Sequence, residues 1–276
     1  MAVRKIVVVP TLLTLGNAVC GLASIAYASR IGKEGFRSDL GDAYLAISGW
    51  FILAGMVFDA LDGFAARLFK SAGRFGAELD SLCDAVTFGA APAFLLLQLG
   101  PSWDQPGGWL WHRLLAAVAT LYLMCTILRL ARYNVESLEG IGSGKRFRGL
   151  PSPAAAGCIA SLAVLCGELS RHWQAWDVPP VRAWLEAWAA GGASLVALLM
   201  VSAVSYPHLT KQMLRGGRRS AALALPAAFL LVFLREVALV LMFWGYALYA
   251  LSRHVAARAA ERRSALAGID ERQLGG

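Results

Sequence analysis

The sequence predicts an all-α polytopic membrane protein with eight spans, six forming a core and two an added C-terminal hairpin. Three observations carry that expectation. Of the 276 residues, 58% are hydrophobic and 16% charged, where a soluble domain carries about 25% charged residues. Apolar stretches of about 20 residues, long enough to cross a bilayer at a rise of 1.5 Å per residue, recur along the chain. Basic residues collect in every second loop. No polar stretch is long enough to form a soluble domain. Residues 1–210 are therefore expected to form the membrane core, 211–253 the hairpin and 254–276 a cytoplasmic helical tail.

The first six spans fall at about 7 to 28, 43 to 64, 80 to 99, 109 to 131, 153 to 170 and 185 to 205. The first imitates a signal peptide, with Arg4-Lys5, an apolar run and Ala26-Tyr27-Ala28 at a cleavage-like position. Its run is longer than the roughly 7 to 15 residues of a signal core. It also carries Thr11, Thr14 and Asn17, and polar groups within a span are usually kept for a purpose, so it reads as a retained helix. In the fifth span, Ala156 with Ala160 and Gly157 with Ser161 place small residues four apart, which lets helices approach closely. The stretch from Ala221 to Leu251 is too long for one span and is interrupted by Arg235-Glu236. Two helices of about 15 residues with the charged pair at the tip fit it; one long tilted span is the alternative. The Ala- and Arg-rich tail is expected to continue the last span as a helix along the surface. Trp103, Trp109, Trp111, Trp173, Trp176 and Trp184 lie near span ends and read as interfacial anchors.

Loop charge tests this count, because Lys and Arg gather on the cytoplasmic side. With the N-terminus inside, 19 of the 26 Lys and Arg fall on that side, and both termini are cytoplasmic. The net charge of +8 then faces anionic lipid at a bacterial inner membrane, and a nucleic-acid partner is not needed to explain it. Five cysteines, Cys20, Cys83, Cys125, Cys158 and Cys166, sit inside spans without a C-x-x-C pair, and the four histidines are scattered. Neither a disulfide framework nor a zinc site is expected, so any metal here is held by oxygen.

Oxygen ligands are abundant at one place. Asp59 and Asp62 lie near the cytoplasmic end of the second span, and Asp80 and Asp84 at the cytoplasmic start of the third. Residues three or four apart share a helix face, so carboxylates from two neighbouring helices can converge. Unneutralised, they would repel one another at the edge of a low-dielectric layer; one or two divalent cations remove that penalty, and hard oxygens suit Mg²⁺, Mn²⁺ or Ca²⁺. The plainer reading makes Asp80 an N-cap, Asp84 a first-turn residue favoured by the helix dipole and Asp62 a solvated helix end. Four such residues flanking one loop favour the metal. Glu78 lies off the paired faces and reads as a solvated loop residue. Gly63 beside Asp62, and Gly76 at the end of a loop bearing Arg67, Lys70 and Arg74, add close backbone approach and positive charge. Metal, glycine and arginine together fit a diphosphate and phosphoryl transfer.

The arrangement Asp59-x2-Asp62-Gly63-x2-Ala66-Arg67-x8-Gly76-x3-Asp80-x3-Asp84 resembles, without a gap, the signature of the CDP-alcohol phosphotransferases, membrane enzymes of phospholipid synthesis. The resemblance implies a six-helix core, usually dimeric, in which Asp59, Asp62, Asp80 and Asp84 bind two Mg²⁺ or Mn²⁺ ions. It further implies that Gly63, Ala66, Arg67 and Gly76 accommodate the CDP group, with Thr14 placed beside them, and that Asp84 deprotonates the attacking hydroxyl. Softer patches resemble the branch that joins CDP-diacylglycerol to L-serine. They are Thr14-Leu15-Gly16-Asn17, "ELDSLCDAVTFG", "ARYN" from Ala131, "GLPSPAAAG" from Gly149 and "LMVS" from Leu199. Thr11 departs from the Asn that often follows Pro10 in such sequences.

Serine also brings a carboxylate, which calls for a cation near the metals. Arg129 and Arg132, three apart at the cytoplasmic end of the fourth span, are the candidates, with Asn17 as a further acceptor-binding residue. Their topological reading is as positive-inside anchors; Lys145, Arg146 and Arg148 read as headgroup contacts. Two other functions stay open. One keeps fold and donor but uses glycerol 3-phosphate or inositol phosphate, which would want a denser basic pocket. The other is an ion-coupled transporter, which predicts acidic residues near mid-bilayer and inverted repeats.

Overall fold

Within lipid no water satisfies backbone N–H and C=O groups, so an apolar chain must pair them inside its own helices. The computed structural model describes residues 8–34, 39–69, 73–99, 108–138, 149–172, 179–202, 204 and 235–274, and the regular elements among them are all helical. The elements are α1 (Val8–Glu34), α2 (Asp39–Leu68), α3 (Arg74–Asp84), a π-helical segment (Ala85–Ala90), α4 (Ala91–Gln98), α5 (Gly108–Leu138), α6 (Ser152–His172), α7 (Pro179–Val201) and α8 (Arg235–Leu274). Among the described residues, five stretches are long and apolar enough to cross a membrane: Val8–Ile31, Leu40–Leu68, Arg74–Gln98, Gly108–Glu136 and Ser152–Leu169. α7 adds a shorter apolar stretch, Ala190–Val201. The chain is an integral membrane protein.

Small residues set how the helices meet. Ser24 on α1 hydrogen-bonds Ser48 on α2 at 2.9 Å, and Gly16 faces the ring of Phe58, so this pair runs antiparallel. Between α2 and α6, a Cβ on Gly49 would stand 2.8 Å from the Ala160 carbonyl oxygen, and one on Gly167 would stand 2.8 Å from the Ala46 nitrogen. Both small-residue pairs expected in the fifth span are used in packing: Ala160 borders Gly49 on α2, while Gly157 is covered by Phe243 of α8. Tyr122, Phe88, Leu45, Ile52 and Leu96 are buried where the helices converge.

Three readings of the sequence change here. The third span begins at Arg74, with Gly73 in the N-cap position. Asp80 is therefore inside a helix and is not its cap, and Glu78 is an exposed helical residue, not a loop residue. Arg235 and Glu236 open α8, one helix of 40 residues that carries on through the tail to Leu274. The other half of the expected hairpin, along with Trp103, Trp173, Trp176 and the Lys145 to Arg148 cluster, lies outside the described residues. The five cysteines are all free, and four of them are buried.

The π-helical segment has a local cause. Pro92 has no N–H to give to the carbonyl four residues back, which belongs to Phe88. The buried Tyr122 hydroxyl of α5 donates to that carbonyl instead, at 2.9 Å. The Ala91 N–H bonds the Val86 carbonyl, five residues back. Such insertions in a helix recur at functional sites, and this one starts directly after Asp84.

Candidate functional site

Antiparallel packing brings the N-terminal half of α1, the C-terminal end of α2, α3, the C-terminal part of α5 and the start of α6 to one end of the bundle. Oxygen atoms of Asp59 and Asp62 on α2 and of Asp80 on α3 all lie within 4.8 Å of one another. One ion held between them at about 2.1 to 2.6 Å per ligand would have its oxygens up to about 4.2 to 5.2 Å apart. The fit is good in chemistry as well as spacing. Asp62 Oδ2 and Asp80 Oδ1 are buried and without a hydrogen-bond partner, an arrangement that leaves charge uncompensated unless a cation supplies it. These three residues can hold a divalent metal.

Asp84 stands outside that trio. It is buried, and its Oδ1 accepts a hydrogen bond from Asn17 Nδ2 at 3.0 Å. Asn17 itself is fully buried and fixed from behind, because the Thr87 hydroxyl donates to its main-chain carbonyl at 2.8 Å. Thr87 fits only because glycines face it. A Cβ on Gly21 would lie 2.6 Å from Thr87 Oγ1, and one on Gly55 would lie 2.5 Å from Thr87 Cγ2 and 2.9 Å from Asn17 Oδ1. The π-helical turn thus locks α1 and α2 around the residue that grips Asp84. Thr14, one turn before Asn17, donates to the Pro10 carbonyl at 3.0 Å and reaches the Asp62 carboxylate.

The two arginines part company. Arg129 NH1 donates to the buried Ser152 hydroxyl at 2.7 Å, its Nε is buried without a partner, and it lies within electrostatic reach of Asp59 and Asp84. Arg132 is instead paired through Nε with Glu136 Oε1 at 2.8 Å, with side chains 38% and 41% exposed. Both line a small open cleft together with Leu128, Tyr133, Glu136, Met200 and Val201. Among the CDP-group candidates, Gly63, Ala66 and Arg67 are on the last turns of α2, where a Cβ on Gly63 would lie 3.7 Å from an Arg67 guanidinium nitrogen. Gly76 has open space beside it, with nothing within 4 Å of a Cβ.

The softer sequence patches gather at the same end. Ser81 of "ELDS" donates to Asn134 of "ARYN" at 3.0 Å. Gly149, at φ 89°, gives its N–H to the Val204 carbonyl at 2.8 Å, and Leu150 gives its own to Leu199 at 3.0 Å, so "GLPSP" docks on "LMVS". Sequence reading named those patches without giving Ser152, Thr87, Ser81 or Asn134 a task. Their membership in the patches was the only signal, since a lone hydroxyl in a span most often bonds its own helix.

An all-helical membrane protein with a hard-oxygen centre at one end of its bundle, flanked by a half-buried arginine, is the class that fold and site define. The sequence model of CDP-alcohol phosphatidyltransferase matches residues 7–193, and the chain belongs to that family. It is 30% identical over 212 residues to a CDP-diacylglycerol–serine O-phosphatidyltransferase of Helicobacter pylori, covering 76% of each chain. A protein of the same name from Methanocaldococcus jannaschii is 30% identical over 206 residues, 75% of this chain and 77% of its own. One from Mycobacterium tuberculosis is 33% identical over 170 residues, 60% of this chain and 52% of its own.

Proposed function

We propose that this protein transfers the phosphatidyl group of CDP-diacylglycerol to the hydroxyl of L-serine, giving phosphatidylserine and CMP. The observation that carries the reading is the carboxylate cluster of Asp59, Asp62 and Asp80 with half-buried Arg129 beside it. Family membership supports the donor, and the similar relatives named for serine support the acceptor. Asp59, Asp62, Asp80 and Asp84 hold one or two Mg²⁺ or Mn²⁺ ions, which when bound offset the diphosphate charge and the charge that grows at phosphorus. Gly63, Ala66, Arg67 and Gly76, with Thr14, accommodate the CDP group at the cytoplasmic surface, and the acyl chains stay in lipid. The protein acts as a homodimer in a bacterial inner membrane, with both termini and the site cytoplasmic.

Arg129 takes the serine carboxylate, its partnerless Nε giving a charge-assisted donor that Ser152 does not use. Asn17 holds one oxygen of Asp84, and the other oxygen accepts the proton of the serine hydroxyl. The serine oxygen bonds to the phosphorus bearing diacylglycerol, the bridging P–O bond breaks, and CMP leaves with the electron pair. Binding both reactants within about 3 to 3.5 Å at one helix end supplies the proximity term.

The purified protein, given CDP-diacylglycerol and Mg²⁺ or Mn²⁺, should release CMP with L-serine and not with glycerol 3-phosphate or inositol phosphate. Release only with a phosphorylated acceptor would overturn the assignment. Chelation by EDTA should lower turnover by more than about 100-fold, reversed by added Mg²⁺ or Mn²⁺; turnover that persists after exhaustive chelation would remove the metal. Arg129→Ala should raise the serine KM about 10- to 100-fold, as befits a lost charged hydrogen bond. Its KM for CDP-diacylglycerol should stay within about twofold. Arg132→Ala should act far more weakly, because its exposed pairing with Glu136 competes for the same guanidinium. Steady-state kinetics on both substrates checks the pair, and equal effects on both KM values for Arg129→Ala would count against acceptor binding.

A further inference from the structure

Directly behind Asp84 the chain leaves ordinary helical geometry: Ala85–Ala90 is a π-helical turn, and Pro92 gives the Phe88 carbonyl no N–H from its own helix. Other helices hold this turn from both sides. On the side of α1 and α2, the Thr87 hydroxyl donates to the Asn17 carbonyl at 2.8 Å, seated against Gly21 and Gly55, and the Asn17 amide donates to Asp84 at 3.0 Å. On the other side α5 presses close: a Cβ on Gly89 would stand 3.2 Å from Leu123 Cδ1 and 3.3 Å from Thr126 Cγ2. From the same helix the fully buried Tyr122 donates its hydroxyl to the Phe88 carbonyl at 2.9 Å. The contacts of Ser81 with Asn134 and of Phe88 with Tyr122 make the two segments antiparallel, so the steps from Phe88 back to Asp84 and from Tyr122 on to Arg129 lead to the same end of the bundle. Asp84 lies one turn before Phe88 and Arg129 two turns after Tyr122. Spacings of four and three put Tyr122, Thr126 and Arg129 on one face of α5.

We propose that Tyr122 is a positioning residue for the transfer reaction: its hydroxyl pins the π-helical turn to α5 and so fixes Asp84 in register with Arg129. The inference rests on the reading of Asp84 as the base that takes the acceptor's proton. A π-helical turn holds one residue more than the α-helix around it. Were it to relax to α geometry, the residues beyond Asp84 would rotate by about 100°, and Thr87 would leave the Asn17 carbonyl. Tyr122 opposes that relaxation by bonding the carbonyl that only the π-helical arrangement presents to α5. One hydroxyl thus ties the mount of the base to the helix that carries the acceptor's cation, and the reaction needs those two groups at a fixed separation.

Tyr122→Phe in the full-length protein keeps the ring and removes the hydroxyl. Its kcat for CMP release should fall about tenfold or more, on the scale of a reacting group displaced by less than about 1 Å. The KM for L-serine and the equilibrium binding of labelled CDP-diacylglycerol should stay within about twofold, the pattern of an interaction felt only in the chemical step. In an Asp84→Asn background the same substitution should cost less than about twofold, because the base it places is already gone. A tenfold loss in both backgrounds would reveal a general loosening of the bundle and overturn the proposal, as would an unchanged kcat in the otherwise unmodified chain. Removing the hydroxyl also leaves the buried Phe88 carbonyl unpaired, which lowers stability by itself. Combining Tyr122→Phe with Pro92→Ala returns an N–H to that carbonyl without restoring the tie to α5. Thermal stability in detergent should then recover while kcat stays low; recovery of both would reduce Tyr122 to a partner for an orphaned carbonyl and refute its positioning role. Asp84→Asn alone separates the two levels. If turnover survives it, the base assignment falls and takes this inference with it; if turnover is lost there and Tyr122→Phe leaves kcat intact, only the role of Tyr122 is refuted.

Discussion

Asp84→Asn should lower CMP release by at least about 10³-fold, the range expected for loss of a general base, while CDP-diacylglycerol still binds within a few fold. The amide is nearly isosteric, so its oxygen can still accept from Asn17 and the local fold should stand. It cannot accept the proton of the serine hydroxyl. Donor binding is expected to survive because Asp59, Asp62 and Asp80 form their close group without Asp84. Turnover assays and an equilibrium binding measurement with labelled donor decide it. Near-normal turnover would remove Asp84 from the role of base, and a raised Mg²⁺ requirement with turnover intact at saturating metal would make it a ligand only.

Gly21→Ala should lower both stability and turnover, although the residue touches neither substrate. Its Cβ would lie 2.6 Å from Thr87 Oγ1 and 2.8 Å from Thr87 Cα. No rotamer change moves a Cα, so the helices must separate, at a cost of about 1–3 kcal/mol. The shift would also break the bond from Thr87 to the Asn17 carbonyl and loosen the amide that holds Asp84. A displacement of about 1 Å at a reacting group costs roughly 10²-fold in rate. Reduced thermal stability in detergent together with a fall in kcat of more than about tenfold is therefore expected, with modest change in either KM. Gly191→Ala on α7, where a Cβ would meet nothing within 4 Å, is the control and should leave both properties alone. A Gly21→Ala protein with unaltered stability and kcat would show that the Thr87 wedge positions nothing.

Much of this protein was readable without coordinates. Spans two to four follow from uninterrupted apolar length, which the bilayer thickness dictates, and the helices α2, α3 with α4, and α5 cover them. The pairing of Asp59 with Asp62 and of Asp80 with Asp84 on helix faces follows from the 3.6-residue repeat. The start of α3 was misplaced by several residues, because hydropathy falls off in the polar turn that carries Arg74 and Glu78 although the backbone there already forms helical bonds. The run of α8 through the Ala- and Arg-rich tail agrees with the expectation that this tail continues the last span as a helix, because such a segment has high helix propensity.

The order of residues by itself determined the membrane character, the helical spans and the four carboxylates flanking one loop, because these depend on neighbours within a turn or two of helix. Which of those carboxylates close on one another was decided only when the helices packed: three lie within 4.8 Å and the fourth turns to Asn17, 67 residues earlier in the chain. The same holds for Arg129 and Arg132, equal candidates three residues apart, of which Ser152 takes one and Glu136 the other. These choices depend on which helix faces meet and how closely small residues let them approach, and that is settled by packing across the whole bundle.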